Sequence, residues 1–174
     1  MQMRLESSII VNQDIERLWK IMALEFTSIS KWASAISFSI ADDSISKTMG
    51  APVGGRVCKA PGYGDVYEEI THFDSVKKEF SYRANSSAMP TFVTGMENNW
   101  VFHDLGENRT EVSTRAFITM NDFPGRLLAP FMRLQMSRMG KRFREELKYY
   151  AETGEVAASK KRALAKVQKV SLTS

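Results

Sequence analysis

Residues 122–152 read DFPGRLLAPFMRLQMSRMGKRFREELKYYAE. Leu128, Met132, Met136, Met139, Phe143, Leu147 and Tyr150 recur along this stretch at intervals of three and four. That spacing lines up one apolar face of an α-helix, here about eight turns long. A helix of this length takes most of its stability from a surface it can lie against. The chain before it carries mainly strand signals, so that surface is expected to be a sheet.

The strand signals run in order. Residues 3–11, MRLESSIIV, end in β-branched residues. Asn12 or Asp14 then caps a short helix with Ile15, Leu18, Trp19 and Met22 on its inner side. A second helical turn follows between Glu25 and Ser34, anchored by Ile29 and Trp32. In AISFSIADD, Ile36, Phe38 and Ile40 alternate with Ser37 and Ser39, which predicts a strand with one buried face. RVCKAP, DVYEEITHF and KKEFSYRAN give three more strands, separated by turns at Gly62-Tyr63-Gly64 and Asp74-Ser75. GMENNWVFHDL and TEVSTRAFITM, joined by Gly106-Glu107-Asn108, form a hairpin. Segregation of strands from the long helix indicates an α+β class, not alternating α/β.

Bulk properties narrow the function. A chain of 174 residues with 43% hydrophobic and 25% charged residues suits one soluble domain. No apolar run reaches the ~18 residues a membrane span requires, and the N-terminus has no leader-like apolar stretch. A lone cysteine, Cys58, permits no internal disulfide and fits a reducing compartment, so a cytoplasmic location is expected. The net charge is +4, and residues 154–174 alone account for it with five basic residues against one acidic. The rest of the chain balances at 19 and 19, which argues against a nucleic-acid-binding body.

The order of these elements, together with DIERLWKIM (14–22), PVGGR (52–56), EEITHFDSVKKEFSYR (68–83), GENRTEV (106–112), RLLAPFMR (126–133) and EELKYYAE (145–152), resembles the START-like superfamily. This superfamily is also called SRPBCC or birch-pollen-allergen-like, and within it the similarity is to the polyketide cyclase/dehydrase and lipid-transport group. The resemblance implies a helix-grip fold: a curved seven-stranded antiparallel sheet wraps a long C-terminal helix, with two short helices after the first strand. Residues 1–152 then form one domain and 153–174 a basic tail. It also implies a cavity between sheet and helix for a hydrophobic or amphipathic ligand.

Candidate site residues follow from that frame. Met132, Gln135, Met136 and Met139 fall on or beside the inner stripe of the long helix, and methionine suits an adaptable apolar wall. Phe38, Phe80, Tyr82, Trp100 and Phe102 are expected opposite them, with Thr114 as a small polar contact. The competing reading is that these side chains simply fill the core. Adjacent Glu68 and Glu69 must point to opposite faces of a regular strand. Val66 and Ile70 favour Glu68 inward, whereas Tyr67 and Phe73 favour Glu69. Either one, turned into an apolar cavity, is a weak candidate for a general acid or a ligand anchor; a paired rim position is the plainer reading. His72 and His103 lie on different strands without a convergent partner, and Cys58 reads as a small buried hydrophobe. No metal-binding spacing and no phosphate-cradling or nucleophile motif is present, so neither metal nor cofactor is expected.

Pro130 removes one helical hydrogen bond, which predicts a kink and places a cavity mouth beside residues 86–95. In the tail, Leu164, Val167 and Val170 form at most a weak amphipathic series. The composition favours a solvated, flexible extension over membrane contact. The leading expectation is a binding protein, or carrier, for a small hydrophobic or amphipathic molecule. The alternatives are a cyclase/dehydrase-like enzyme, with Glu68 or Glu69 and Tyr82 or Thr114 steering enolate and proton chemistry, and an adaptor acting through the basic tail.

Overall fold

The computed structural model describes residues 1–171. Its elements are β1 (Gln2–Val11), α1 (Ile15–Trp19), a π-helical turn (Lys20–Leu24), a 3-10 turn (Phe26–Lys31), β2 (Phe38–Ala41), β3 (Gly55–Ala60), β4 (Gly64–Asp74), β5 (Glu79–Ser86), β6 (Val93–Gly106), β7 (Arg109–Met120), α2 (Asp122–Thr153) and α3 (Ala158–Ser171). The strands form one seven-stranded antiparallel sheet in the order β1-β7-β6-β5-β4-β3-β2. First and last strands in space are β1 and β2, because the chain crosses from one edge to the other through the short helices and then returns as a meander. With α2 packed along β1, this is the helix-grip arrangement.

Local chemistry explains the joints. Asp14 is the cap of α1, and its carboxylate accepts from the Arg17 N–H at 2.9 Å. Glu107 and Asn108 both have positive φ, 52° and 56°, the backbone of the tight turns that match strand twist. Gly154 ends α2 in the left-handed region with φ 75°, and its N–H donates to the Tyr150 carbonyl at 2.9 Å. Before β3 the chain passes so close to its neighbours that a side chain has no room. A Cβ on Gly54 would lie 2.1 Å from the Ile45 carbonyl oxygen, and one on Gly55 2.3 Å from that of Glu68.

Two apolar clusters fill the grip. The larger joins Leu18, Trp19, Phe26, Trp32, Phe80, Phe102, Leu147 and Ala151, so the second half of α2 closes it against the short helices and the sheet. Trp19 stands edge-on to Phe80 and Phe102, with ring centroids 5.9 and 5.8 Å away. The smaller cluster centres on Met3, Ile118 and Met120, with Phe92, Ala129, Met132 and Met136 packed on it. It lies under the first half of α2.

Three expectations change here. Phe38 and Ile40 face outward and are about half exposed, because the register sets Ser39 against Cys58 and Ala41 against Arg56. The 3-10 turn packs against β2, and Ser39 and Ala41 take the positions paired with the buried Cys58 and Arg56. Pro130 stays within the helix; the non-helical backbone of α2 is at Phe123, with φ −124° and ψ 125°. Residues 158–171 are helical, where the sequence favours a flexible extension. Lys160 explains the difference: its ammonium is buried and donates to the carbonyls of Ala33 at 3.1 Å and Ile36 at 2.7 Å. Ser159 adds a hydrogen bond to Glu146. In the weak apolar series, Leu164 is half exposed; the side chains of Val167 and Val170 lie outside the described residues.

Candidate functional site

The inner face of the sheet carries a row of paired residues. Phe73 pairs with Phe80, Phe80 with Trp100, Trp100 with Thr114 and Thr114 with Ser7. Each of β4, β5 and β6 contributes one aromatic to the row, and the cross-strand register sets them side by side. Thr114 ends the row in a 3.0 Å hydroxyl contact with Ser7. Next to this row lies a polar cluster from β3 and β4. Arg56 is 3% exposed, its guanidinium stacks 3.7 Å from the centre of the Phe26 ring, and it donates to the Glu68 carboxylate and the Phe26 carbonyl.

The register settles which glutamate turns inward. Glu68 lies opposite Arg56, and Glu69 opposite Gly55 and Arg83. Glu68 is nearly buried in its pair with Arg56, whereas Glu69 reaches Arg83 at 3.7 Å on the solvated face. Burial pulls the Arg56 guanidinium towards losing its proton, but the charge and hydrogen bond of Glu68, with Cys58 and Tyr82 adding to them, together outweigh this and the pKa is raised. Cys58 is fully buried; burial raises its thiol, partly countered by Arg56 and reinforced by Glu68. The Tyr82 phenol is also raised, first by burial and then by Glu68, with Arg56 and the Trp100 indole N–H opposing. That N–H acts on Tyr82 yet has no acceptor at hydrogen-bonding geometry, one of two such buried side-chain atoms among the described residues.

The space beside this cluster is a void of about 10 Å³ lined by Arg56, Phe80, Tyr82, Phe26, Trp32 and Phe143. That is room for about one water molecule. A larger space lies outside it. An open cleft of about 430 Å³ runs beneath the middle of α2, lined by Arg138, Met139, Arg142, Phe143 and Glu146 from the helix. Ser34, Ala35, Pro61 and Tyr63 form its other side. Phe143 borders both spaces and packs between Trp32 and Trp100, with ring centroids 4.8 and 5.6 Å away. At one end Gln135 donates to the Tyr63 hydroxyl at 2.9 Å, bridging α2 to the β3–β4 turn. At the other, Glu146 is buried and accepts from the Ser34 N–H at 2.8 Å.

The predicted site residues therefore separate. Met139 lines the cleft, Gln135 bridges its rim, and Phe80 and Tyr82 line the inner void. Trp100 and Phe102 lie in the large core cluster, while Met132 and Met136 pack on the smaller one. Thr114 is engaged with Ser7, and Phe38 points to the other face of the sheet. Residues 86–95 do not frame the cleft: the Phe92 carbonyl accepts from Asn121 N–H at 2.8 Å, and Phe92 and Val93 cover the smaller cluster. His72 and His103 are exposed, His72 beside Glu79 at 3.1 Å. Sequence reasoning missed Arg56, Phe143 and the arginines of the cleft. The tight turn around Gly62 carried a signal for the first, since it aligns position 56 with position 68.

No group of three His, Cys, Asp or Glu suited to a metal occurs among the described residues. Nor is any helix among them long and apolar enough to cross a membrane. The family model described as polyketide cyclase/dehydrase and lipid transport matches residues 2–152. The chain belongs to this family. Among solved structures, Ara h 8.0201 superposes with a TM-score of 0.67 at 12% identity, covering 87% of this chain and 98% of its own. A START superfamily protein from Mycobacterium smegmatis gives 0.69 at 11% identity, covering 87% and 99%. XoxI from Bacillus cereus gives 0.59 at 17%, covering 82% and 93%. At these identities the likeness is one of fold. None of the curated proteins compared with the chain matches it.

Proposed function

We propose that this family member binds, as a carrier would, a small hydrophobic or amphipathic molecule in the cleft beneath the middle of α2. The observation that carries the reading is the cleft itself. Its volume of about 430 Å³ lies within the range of small-molecule sites, roughly 300–1,000 Å³. Its wall combines apolar surface from Met139, Phe143, Pro61 and Ala35 with Arg138 and Arg142. That chemistry suits an apolar body with a polar or anionic end. The family's lipid-transport members support the same class of ligand. The polar cluster at Arg56 and Glu68 lacks comparable space, so its convergence does not favour the cyclase reading: a substrate larger than water would have to displace Phe143 and its neighbours.

The test uses the purified full chain and 1-anilinonaphthalene-8-sulfonate, an amphipathic anion, followed by fluorescence. Native mass spectrometry of the same preparation looks for a co-purified molecule. Ala35→Trp and Met139→Trp add bulk at exposed cleft positions and are expected to weaken probe binding by about tenfold. Unchanged binding in both variants, with the fold intact by circular dichroism, would remove the cleft as the site.

A further inference from the structure

We infer that the outer face of the first half of α2 is a docking surface for an anionic lipid bilayer. Leu127, Phe131 and Leu134 are 71%, 68% and 51% exposed. Their spacing puts them on one face of the helix, opposite the face on which Met132 and Met136 pack against the smaller cluster. Phe123, in the extended entry to the helix, is a further large apolar side chain left 81% exposed. Scattered exposed leucines need no explanation, but a contiguous row of large apolar side chains marks a contact surface.

The charges around the stripe identify what covers it. Residues 123–144 contain Arg126, Arg133, Arg138, Lys141, Arg142 and Arg144 and no acidic residue. Asp122, at the margin, is engaged by the N-terminal ammonium at 2.9 Å and faces Arg126 at 3.8 Å. A second copy of the chain is a poor occupant. In a two-fold pair the same patch meets itself, so one cationic row would be pressed against another without carboxylates to neutralise it. A protein groove that envelops a basic helix is also a poor match, because the opposite side of α2 is already packed on the sheet. An anionic bilayer satisfies both features from one side. Apolar side chains enter the interface, and long basic side chains extend to the headgroups. The apolar stripe lies on the same helix as the cleft but none of its residues lines the cleft, and of the basic residues only Arg138 and Arg142 belong to both; the double variant at Leu127 and Phe131 therefore tests the stripe apart from the ligand reading.

Co-sedimentation of the full chain with extruded vesicles tests it. Phosphatidylcholine vesicles containing about 30% phosphatidylserine should retain the protein at about 0.1 M salt, and pure phosphatidylcholine should retain far less. Leu127→Glu combined with Phe131→Glu should weaken retention by at least about tenfold. Both positions are exposed, so circular dichroism and the melting temperature should stay unchanged. Neutralising exposed α3 positions (Lys161→Gln, Arg162→Gln, Lys166→Gln) should leave retention within about twofold if α2 carries it. The inference is overturned if the anionic vesicles do not retain the protein, if the α2 double variant binds as well as the parent, or if the α3 variant alone loses binding. It is also overturned if the parent is a dimer that the α2 variant converts to a monomer, since a second copy then covers the face.

Discussion

Arg56 depends on its neighbours for every interaction that keeps it charged inside the protein. The Glu68 carboxylate, the Phe26 carbonyl and the Phe26 ring surround its guanidinium. Removing one partner of such a buried pair costs much more than the net worth of the pair, because a desolvated charge is left behind. Glu68→Gln is therefore expected to lower unfolding stability by about 3–5 kcal/mol in urea titrations. Replacing both partners with apolar residues of similar volume should recover a large part of that loss. Glu69→Gln removes only a solvated contact with Arg83 and should change stability by less than about 0.5 kcal/mol. Equal effects from Glu68 and Glu69 would place the wrong carboxylate inside. The sequence left the two tied because apolar neighbours sit on both parities; pairing across the Gly62 turn resolves them. That the residue facing Glu68 is a buried cation runs against the usual exposure of arginine, so only the packing reveals it.

The elements themselves were largely legible, for a physical reason. The strands alternate in part against the apolar clusters, or pair through tight turns, and both constraints act within a few residues. The exceptions depend on distant partners. Phe38 turns outward because pairing with β3 sets Ser39 and Ala41 beside the buried Cys58 and Arg56, and α3 forms where Lys160 finds two carbonyls more than 120 residues earlier in the chain. The end of α2 shows the same dependence in a form that pH can probe. Glu152 accepts from the Asn12 N–H at 2.7 Å and from Lys148 at 2.7 Å, tying the helix to the end of β1. Burial pushes its carboxyl up, but the Lys148 and Asn12 interactions together outweigh it, and the pKa falls below the ordinary 4.5. A carboxylate with a lowered folded pKa stabilises the fold fully above its unfolded value, and that contribution disappears as pH falls through the folded value. The melting temperature of the parent should thus exceed that of Glu152→Gln at neutral pH, and the gap should close on acidification below pH 4.5. A gap independent of pH would mean that Glu152 acts through packing alone.

At the scale of the molecule, α2 joins two regions of unequal depth. Its second half contributes Glu146, Leu147 and Ala151, all buried, and closes the large aromatic cluster. Its first half rests on the smaller cluster and leaves Leu127, Phe131 and Leu134 in water. The apolar period of the sequence, running evenly from Leu128 to Tyr150, does not show this difference, because periodicity records which face is apolar and not how much covers it. For the same reason it assigned Met132 and Met136 to a pocket wall, while the open cleft formed further along, where Met139 and Phe143 face the segments at 34–35 and 61–63. Pro130 adds to the asymmetry by withdrawing one N–H from the first half. Local opening follows the depth of burial and the number of tertiary partners. Amide hydrogen exchange followed by mass spectrometry should therefore show residues 125–135 exchanging well before residues 143–152, by at least about tenfold in rate. Anionic vesicles that engage the exposed face should slow the first segment and leave the second unchanged. Uniform protection along α2 in the free protein would mean that the smaller cluster holds the helix as firmly as the larger one, and the two-region description would fail.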